Sequence, residues 1–230
     1  MSLDVKNLSK SYDHQNIIDN LSFKINSGEI IAIIGSNGSG KTTLLKLLSG
    51  IAQPQSGSGT INGYPLFKSN YNYRKEFIFW GHSPLLYPDL NAKENIIISL
   101  KIRNQTVHLG KIISTLKNCG LNKYLNLPIV KYSTGMIQRL NLARLMLSNW
   151  SIGLFDEPNN GLDHNAQNLL SNSIKIWTDK KRTIIFTSHN KEFIEKHASK
   201  LLLLKNGKFV NEINNPTIDS ISKIIANKEN

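Results

Sequence analysis

A glycine-rich segment contains the first residues whose spacing suits a chemical role. Gly35 and Gly40 are separated by four residues, and Lys41 and Thr42 follow directly. Glycines let backbone N–H groups surround phosphate oxygens, and a helix beginning near Lys41 directs its positive dipole end at the same oxygens. Lys41 is expected to reach the β- and γ-phosphates of ATP, and the Thr42 hydroxyl to ligate Mg²⁺. A chance glycine-rich turn is the alternative. The predicted nucleotide-binding residues here are Gly35, Ser36, Asn37, Gly38, Ser39, Gly40, Lys41, Thr42 and Thr43.

Two neighbouring carboxylates follow an apolar run at residues 152–155. Asp156 is predicted to hold Mg²⁺ through water, and Glu157 to polarise the water that attacks the phosphate. An acidic turn at the end of a strand is the alternative for such a pair. Together with the phosphate-binding segment, the pair indicates hydrolysis of a nucleoside triphosphate.

Strands and helices that could position these residues alternate along the chain. The β-branched run at residues 29–34 is typical of a buried strand. Further strands are predicted at residues 3–8, 21–25, 59–61, 77–80, 152–155 and 183–187, and a hairpin at 201–204 and 208–210 across Asn206-Gly207. Helices are predicted at residues 42–48, 165–177, 191–197 and 218–226. Residues 91–149 are largely helical, with breaks at Gly110, Gly120 and 127–128. The order indicates an α/β protein with a mostly parallel sheet and an inserted helical part.

Composition limits the classes of protein to be considered. No apolar run approaches the ~18 residues that a membrane span requires, and the first residues lack the layout of a signal peptide. Cys119 is the only cysteine, so no disulfide forms within the chain. The net charge of +12 arises from scattered lysines and arginines rather than a basic stripe. We therefore expect no nucleic-acid partner, and attraction to anionic headgroups as a secondary effect of the charge.

Residues 131–139, with the sequence KYSTGMIQR, resemble the signature motif of ABC ATPases, usually Leu-Ser-Gly-Gly-Gln. Thr134 and Met136 depart from that pattern, whereas Ser133 and Gly135 agree with it. The other motifs of the family lie before and after the signature in the expected order. The phosphate loop and a glutamine-loop region near His82 precede it. Asp156-Glu157, a D-loop at residues 161–163 and a switch histidine at His189 follow it.

The resemblance implies roles for residues that their local pattern alone does not explain. Tyr12 would stack on adenine, although an aromatic side chain that fills a surface groove is the alternative. Ser133 and Gly135 would contact the γ-phosphate of ATP bound to an opposite subunit, and Asp163 would help position the sites across that interface. His189 would contact the γ-phosphate and support hydrolysis, whereas a structural histidine is its alternative.

His82 stands where most members of the family have a glutamine that contacts Mg²⁺ and the attacking water. We therefore predict that His82 is a catalytic residue and a metal ligand. A half-buried structural histidine is the alternative.

The resemblance also implies a fold and a domain organisation. The expected fold is a P-loop NTPase (RecA-like) α/β core with a mostly parallel sheet, an N-terminal antiparallel β part and an inserted helical subdomain. Residues 1–214 would form one ABC ATPase domain. Residues 1–83 and 148–214 would form its core, residues 84–147 the helical subdomain with the signature, and residues 215–230 a C-terminal tail.

One phosphate loop and one signature per chain imply that two chains complete each other's sites. A head-to-tail homodimer with two composite sites is expected, and a heterodimer is the alternative. The partners implied by the family are multi-span membrane subunits. The chain would lie on the cytoplasmic face of the inner membrane, or on the matrix face if an organelle encodes it.

Gly81-His82 and residues 90–95 are similar to one branch, the ATP-binding subunits of haem export and cytochrome c maturation. The short region after the last predicted strand is also similar to that branch. Other exporters, of drugs, polysaccharides or lipids, are the alternative. A soluble ABC ATPase acting on ribosomes or DNA is a further alternative, but the chain has neither a second ATPase half nor a long coiled-coil insertion.

Overall fold

The computed structural model describes residues 2–67, 71–81 and 85–226. The strands are β1 (Ser2–Tyr12), β2 (Gln15–Asn26), β3 (Ile30–Gly35), β4 (Ser56–Ile61), β5 (Tyr64–Pro65), β6 (Phe77–Trp80), β7 (Ile152–Asp156), β8 (Thr183–Thr187), β9 (Lys200–Lys205) and β10 (Lys208–Asn214). The helices are α1 (Lys41–Leu48), α2 (Ala92–Ile102), α3 (Leu109–Asn118), α4 (Thr134–Leu147), α5 (His164–Asp179), α6 (Lys191–His197) and α7 (Ile218–Ala226). Short 3₁₀ turns lie at Tyr71–Glu76, Asn122–Tyr124 and Ile129–Lys131.

A six-stranded sheet forms the centre of the fold, in the order β10-β9-β3-β8-β7-β6. All neighbours are parallel except β10, which runs antiparallel to β9. Every residue of β3, β7 and β8 is buried, as expected for strands covered on both faces. The predicted α/β fold with a mostly parallel sheet is confirmed.

A second, antiparallel sheet has the order β2-β1-β4-β5 and confirms the predicted N-terminal β part. Its first two strands are much longer than the sequence pattern predicted. They are joined by a tight turn at Asp13 and His14, whose φ angles are 46° and 65°. The turn was missed because Asp-His lacks the glycine that usually marks a hairpin with two positive φ angles.

The β9–β10 hairpin confirms the predicted turn at Asn206-Gly207. Lys205 pairs with Lys208, and both turn residues have positive φ angles, 50° and 74°. The backbone N–H of Asp19 in β2 donates to the Gly207 carbonyl over 3.1 Å, and Lys208 Nζ lies 2.9 Å from the Asp19 carboxylate. The hairpin therefore ties the edge of the antiparallel sheet to the edge of the parallel sheet.

The chain divides into two compact units. The sheet unit comprises the described residues within 1–81, 151–158 and 177–230, and the helical unit those within 82–150 and 159–176. The helical unit contains α2, α3 and α4. The boundaries predicted for the subdomain and tail, at residues 84–147 and 215–230, stay a prediction.

Helix ends in the helical unit follow local capping chemistry. Asn91 caps α2 by accepting the Glu94 N–H, while the Glu94 carboxylate accepts the Asn91 N–H. The predicted break at Gly110 is displaced, because the chain turns at residues 103–108 and Gly110 already lies in α3. Gly120 lies outside the helices with a positive φ, as predicted.

Across residues 2–67, 71–81 and 85–226, no helix combines the length and hydrophobicity that a bilayer span requires.

His197, the last residue of α6, gives the fold a pH-dependent stability. The centre of its ring lies 4.7 Å from the centre of the Phe193 ring, which lies 5.3 Å from the centre of the Phe186 ring. Burial, together with the nearby Lys196 charge, lowers the pKa of His197 from 6.5 to about 4. As pH falls, His197 therefore gains its proton at a higher pH in the unfolded chain than in the folded chain. The resulting loss of stability begins below pH ~6.5 and is complete below pH ~4.

We predict that wild type loses more stability than His197→Phe when pH falls from 7 to about 4.5. Phenylalanine keeps an aromatic ring beside Phe193 but has no proton to gain. Urea unfolding of both proteins at several pH values measures the difference. Parallel pH profiles would show that His197 is not responsible.

Candidate functional site

The phosphate-binding segment connects two elements of the sheet unit. β3 ends at Gly35, and α1 begins at Lys41 after Gly40, which caps the helix with a φ angle of 102°. A Cβ atom at Gly40 would lie 2.7 Å from the Ile17 carbonyl oxygen, so the backbone there tolerates only glycine. Ser36, Asn37 and Gly38 are exposed in the turn, and Thr43 is half-buried in α1.

Lys41 is buried beneath the turn and faces its backbone. Its Nζ donates to the carbonyl oxygens of Gly35, over 3.1 Å, and Ser36, over 2.9 Å. Within the described residues, the buried Ser39 hydroxyl has no hydrogen-bond partner. An ammonium group, an unsatisfied hydroxyl and the N-terminus of α1 thus converge on one turn, which suits a bound phosphate group.

The Asp156 carboxylate joins three elements. Thr42 in α1 donates its hydroxyl to Asp156 Oδ2 over 2.7 Å, and Thr187 at the end of β8 donates to Asp156 Oδ1 over 2.7 Å. Asp156 is buried at the end of β7. The parallel strands end at one edge of the sheet, which is where ligands bind in α/β proteins.

The oxygens of Thr42 and Asp156 fit the ligand preference of Mg²⁺. These two residues would hold the ion, which would offset negative charge on the phosphates. Among the residues that the structure describes, no three acidic, histidine or cysteine side chains cluster as a metal site of their own.

Glu157 has a left-handed backbone, with a φ angle of 53° that side chains other than glycine seldom adopt. Its N–H is shared by the Thr187 hydroxyl, at 3.0 Å, and the Thr187 carbonyl, at 3.2 Å. The His189 Nε2 lies 3.4 Å from Glu157 Oε1, and the His189 N–H donates to Oε2 over 3.4 Å. The structure thus brings together Glu157 and His189, the two predicted catalytic residues that it describes.

Tyr12 lies at the end of β1 with 47% of its surface exposed. The Lys10 ammonium lies 5.0 Å from the centre of its ring. The ring is therefore partly open to solvent and partly covered by the Lys10 side chain. Its contact with adenine stays a prediction.

The signature residues belong to the helical unit. Ser133 caps α4 by accepting the Met136 N–H over 3.3 Å, and Gly135 lies in the first turn of that helix. Arg139, one turn further on, forms an ion pair with Asp163. The Asp163 carboxylate accepts a hydrogen bond from the Ala166 N–H, and this bond is the main reason that the pKa of Asp163 lies below its ordinary value. The nearby Arg139 charge lowers the pKa further.

The Arg139–Asp163 pair ties the signature helix to the D-loop, and sequence reasoning missed it because the two residues belong to separate motifs. The roles predicted for Ser133, Gly135 and Asp163 at an opposite subunit's ATP stay predictions. His82, predicted as a catalytic residue and metal ligand, lies outside the described residues.

Comparisons with known proteins agree with this arrangement. Residues 18–160 match the family model described as ABC transporter. The chain is 32% identical over 223 residues to the SkfA peptide export ATP-binding protein SkfE of Bacillus subtilis (strain 168), an alignment that covers 94% of this chain and 91% of the relative. It is 31% identical over 205 residues to the cytochrome c biogenesis ATP-binding export protein CcmA of Vibrio vulnificus (strain YJ016). This alignment covers 89% of this chain and 99% of the relative.

Among solved structures, the chain resembles one described as the ATP binding subunit of an ABC transporter. The TM-score is 0.86 at 27% sequence identity, and the match covers 100% of this chain and 95% of the other. The likeness therefore extends over both units.

Thr187 and Thr183, at opposite ends of β8, form a matched pair for testing the site. Both are buried, and each hydroxyl makes one bond as donor and one as acceptor: Thr187 with Asp156 and Glu157, Thr183 with Asn26 and Gly28. Valine at either position should lower the free energy of unfolding by about 1–3 kcal/mol.

Only Thr187→Val should also slow ATP hydrolysis, by about tenfold to a hundredfold, because it releases both carboxylate residues from their positions. Steady-state hydrolysis and urea unfolding of both variants test this expectation. Equal hydrolysis by the two variants would show that Thr187 has only a structural role.

Proposed function

The chain belongs to the ABC transporter family, and we propose that it is the ATP-binding subunit that powers an export complex in a membrane. It is an ATP-hydrolysing enzyme of the ABC type. The observation that carries the proposal is the set of hydrogen bonds made by the Asp156 carboxylate. It accepts one from Thr42 in α1, the helix that follows the phosphate loop, and one from Thr187 at the end of β8. Glu157 follows Asp156 directly and lies beside His189.

In this proposal Glu157 acts on the water that attacks the γ-phosphorus. The bond from that phosphorus to the oxygen bridging it to the β-phosphate breaks, which releases ADP and phosphate. The Glu157 carboxylate accepts a hydrogen bond from the water and receives its proton. Lys41 and the N-terminus of α1 bind the phosphate oxygens, and His189 holds the γ-phosphate while hydrogen-bonded to the Glu157 carboxylate.

We propose that two chains assemble head to tail, so that the signature of each completes the ATP site of the other. Ser133 and Gly135 supply the N-terminus of α4, a site suited to a phosphate group. The chain has one phosphate loop and one signature, so a homodimer would contain two equivalent composite sites. A heterodimer with a related chain is the alternative arrangement.

Glu157→Gln is expected to keep ATP binding and lose hydrolysis, because an amide cannot accept the proton of water. ATP should then hold the composite sites closed, and the variant should elute as a dimer from gel filtration with ATP but not with ADP. Wild type under the same conditions is the control. A variant that stays monomeric at saturating ATP would contradict the composite site.

The membrane partner in this proposal is a set of multi-span subunits, with the chain bound at the cytoplasmic face of the inner membrane, or at the matrix face if an organelle encodes it. The docking area in this proposal is the helical unit, where Leu85, Tyr87 and Val130 are exposed. The Val130 N–H donates to the Pro88 carbonyl over 2.9 Å, which brings the two segments together. Exposed apolar side chains grouped in this way are typical of an interaction surface.

For the cargo, we propose the haem branch, in which the complex serves cytochrome c maturation. The support is the similarity of Gly81-His82 and residues 90–95 to that branch, and the 31% identity to a relative named for cytochrome c biogenesis. Peptide export is the second candidate, because a relative named for it aligns with 94% of the chain at 32% identity.

Disruption of the gene separates the two candidates. The haem branch predicts that covalent haem attachment to c-type cytochromes is lost, as measured by haem staining after denaturing electrophoresis. Wild-type protein should restore it, and Glu157→Gln, which binds ATP but does not hydrolyse it, should not. Normal haem attachment in the disrupted strain would contradict the haem branch and favour another export substrate.

A further inference from the structure

A long stretch of the chain, between Glu94 and Asp156, contains no Asp or Glu but eight Lys and Arg residues. These are Lys101, Arg103, Lys111, Lys117, Lys123, Lys131, Arg139 and Arg144. The arginines are used internally: Arg139 pairs with Asp163, Arg103 donates to the Asn149 carbonyl and Arg144 is buried. The five lysines are exposed, and none pairs with a carboxylate in the part of the chain that the structure describes. The helical unit therefore presents positive charge that it does not neutralise itself.

Two of these lysines flank exposed aliphatic side chains. α2 and α3 form a helical hairpin whose end, residues 101–111, is called here the hairpin tip. Ile102 is 71% exposed and Leu109 is 49% exposed, with Lys101 before the first and Lys111 after the second. Neighbouring apolar residues such as Leu100 and Ile112 are buried. Ile102 and Leu109 are thus left out of the core that the same helices form.

The hairpin tip is held in a fixed conformation. Gln105 and Asn149 exchange two hydrogen bonds: Gln105 Nε2 donates to the Asn149 carbonyl over 2.7 Å, and the Asn149 N–H donates to Gln105 Oε1 over 2.8 Å. Arg103 donates to the same carbonyl over 2.9 Å. At the start of α3, His108 Nδ1 accepts the Gly110 N–H over 3.2 Å. Binding through the tip would therefore require little further ordering of the chain.

We propose that the hairpin tip binds the surface of an anionic membrane. Ile102 and Leu109 would enter the boundary between headgroups and acyl chains, and Lys101 and Lys111 would contact lipid phosphates. The inference rests on the proposed function, which places the chain beside a bilayer, and adds a direct lipid contact to docking on membrane subunits. Nucleic acid is a poorer match, because residues 101–111 contain no Phe, Tyr or Trp to stack on bases, and exposed aliphatic side chains gain little on a phosphate backbone.

The test is co-sedimentation of the full chain with lipid vesicles, without membrane subunits. Phosphatidylcholine vesicles with about 30 mol% phosphatidylglycerol should bind the chain, and pure phosphatidylcholine vesicles should bind it at least tenfold more weakly, an order-of-magnitude expectation. Ile102→Ser/Leu109→Ser and Lys101→Glu/Lys111→Glu should each weaken binding by about tenfold. Matched controls in the sheet unit are Val210→Ser, an aliphatic position whose 54% exposure lies between those of Ile102 and Leu109, and Lys24→Glu/Lys180→Glu, which makes the same change in charge.

Loss of binding in the tip variants, with the controls like wild type, would support the proposal. Equal weakening by Lys24→Glu/Lys180→Glu would overturn it, since the net charge alone would then explain attraction. Wild-type binding by Ile102→Ser/Leu109→Ser would also overturn it, as would tighter binding to a duplex oligonucleotide than to anionic vesicles. ATP hydrolysis by every variant should match wild type, because none of the substituted residues is among those predicted to bind or hydrolyse ATP. An absence of hydrolysis in wild type would count against the proposed function and not against the lipid contact.

Discussion

The nucleotide site depends on a buried negative charge and the two hydroxyl groups that bind it. A carboxylate removed from water is costly unless hydrogen bonds replace its hydration, and Asp156 accepts one from Thr42 and one from Thr187, each 2.7 Å long. Because the donors belong to α1 and β8, satisfying this charge also fixes the helix that follows the phosphate loop against two strands of the sheet. The same bonds that stabilise the folded chain therefore place Thr42 and Asp156, the two residues proposed to hold Mg²⁺.

Strain at the next residue depends on the same arrangement. Glu157 holds a φ angle of 53°, which costs free energy in a residue with a side chain, and persists where the surroundings determine the backbone. Thr187 supplies that restraint by accepting the Glu157 N–H with both its carbonyl and its hydroxyl, the hydroxyl that also donates to Asp156. One threonine thus positions two neighbouring carboxylates, and the turn directs the second toward His189.

The sequence predicted most of this arrangement where the signal is local. Buried strands such as β8 follow from runs of apolar residues, and the predicted bounds of β8 and α6 agree with the structure. The phosphate loop was identified from the spacing of its glycines, from the lysine and threonine that follow, and from the predicted strand and helix on either side. Contacts between distant segments gave no such signal: the Thr187 bonds, the Arg139–Asp163 pair and the left-handed backbone of Glu157 depend on tertiary packing. The Asp13-His14 turn was missed for a different reason, since it lacks the glycine that usually marks a hairpin with two positive φ angles.

The carbonyl oxygen of Ile17 has a consequence for how this sequence can evolve. It lies 2.7 Å from where a Cβ atom would be placed at Gly40 and, equally, 2.7 Å from where one would be placed at Gly207. One backbone atom of β2 therefore forbids side chains at two turns far apart in the sequence, one in the phosphate loop and one in the β9–β10 hairpin. A lineage that displaced Ile17 to admit a larger residue at either turn would alter the packing at the other. The two glycines are thus under a shared constraint, although only the first belongs to the phosphate-binding segment.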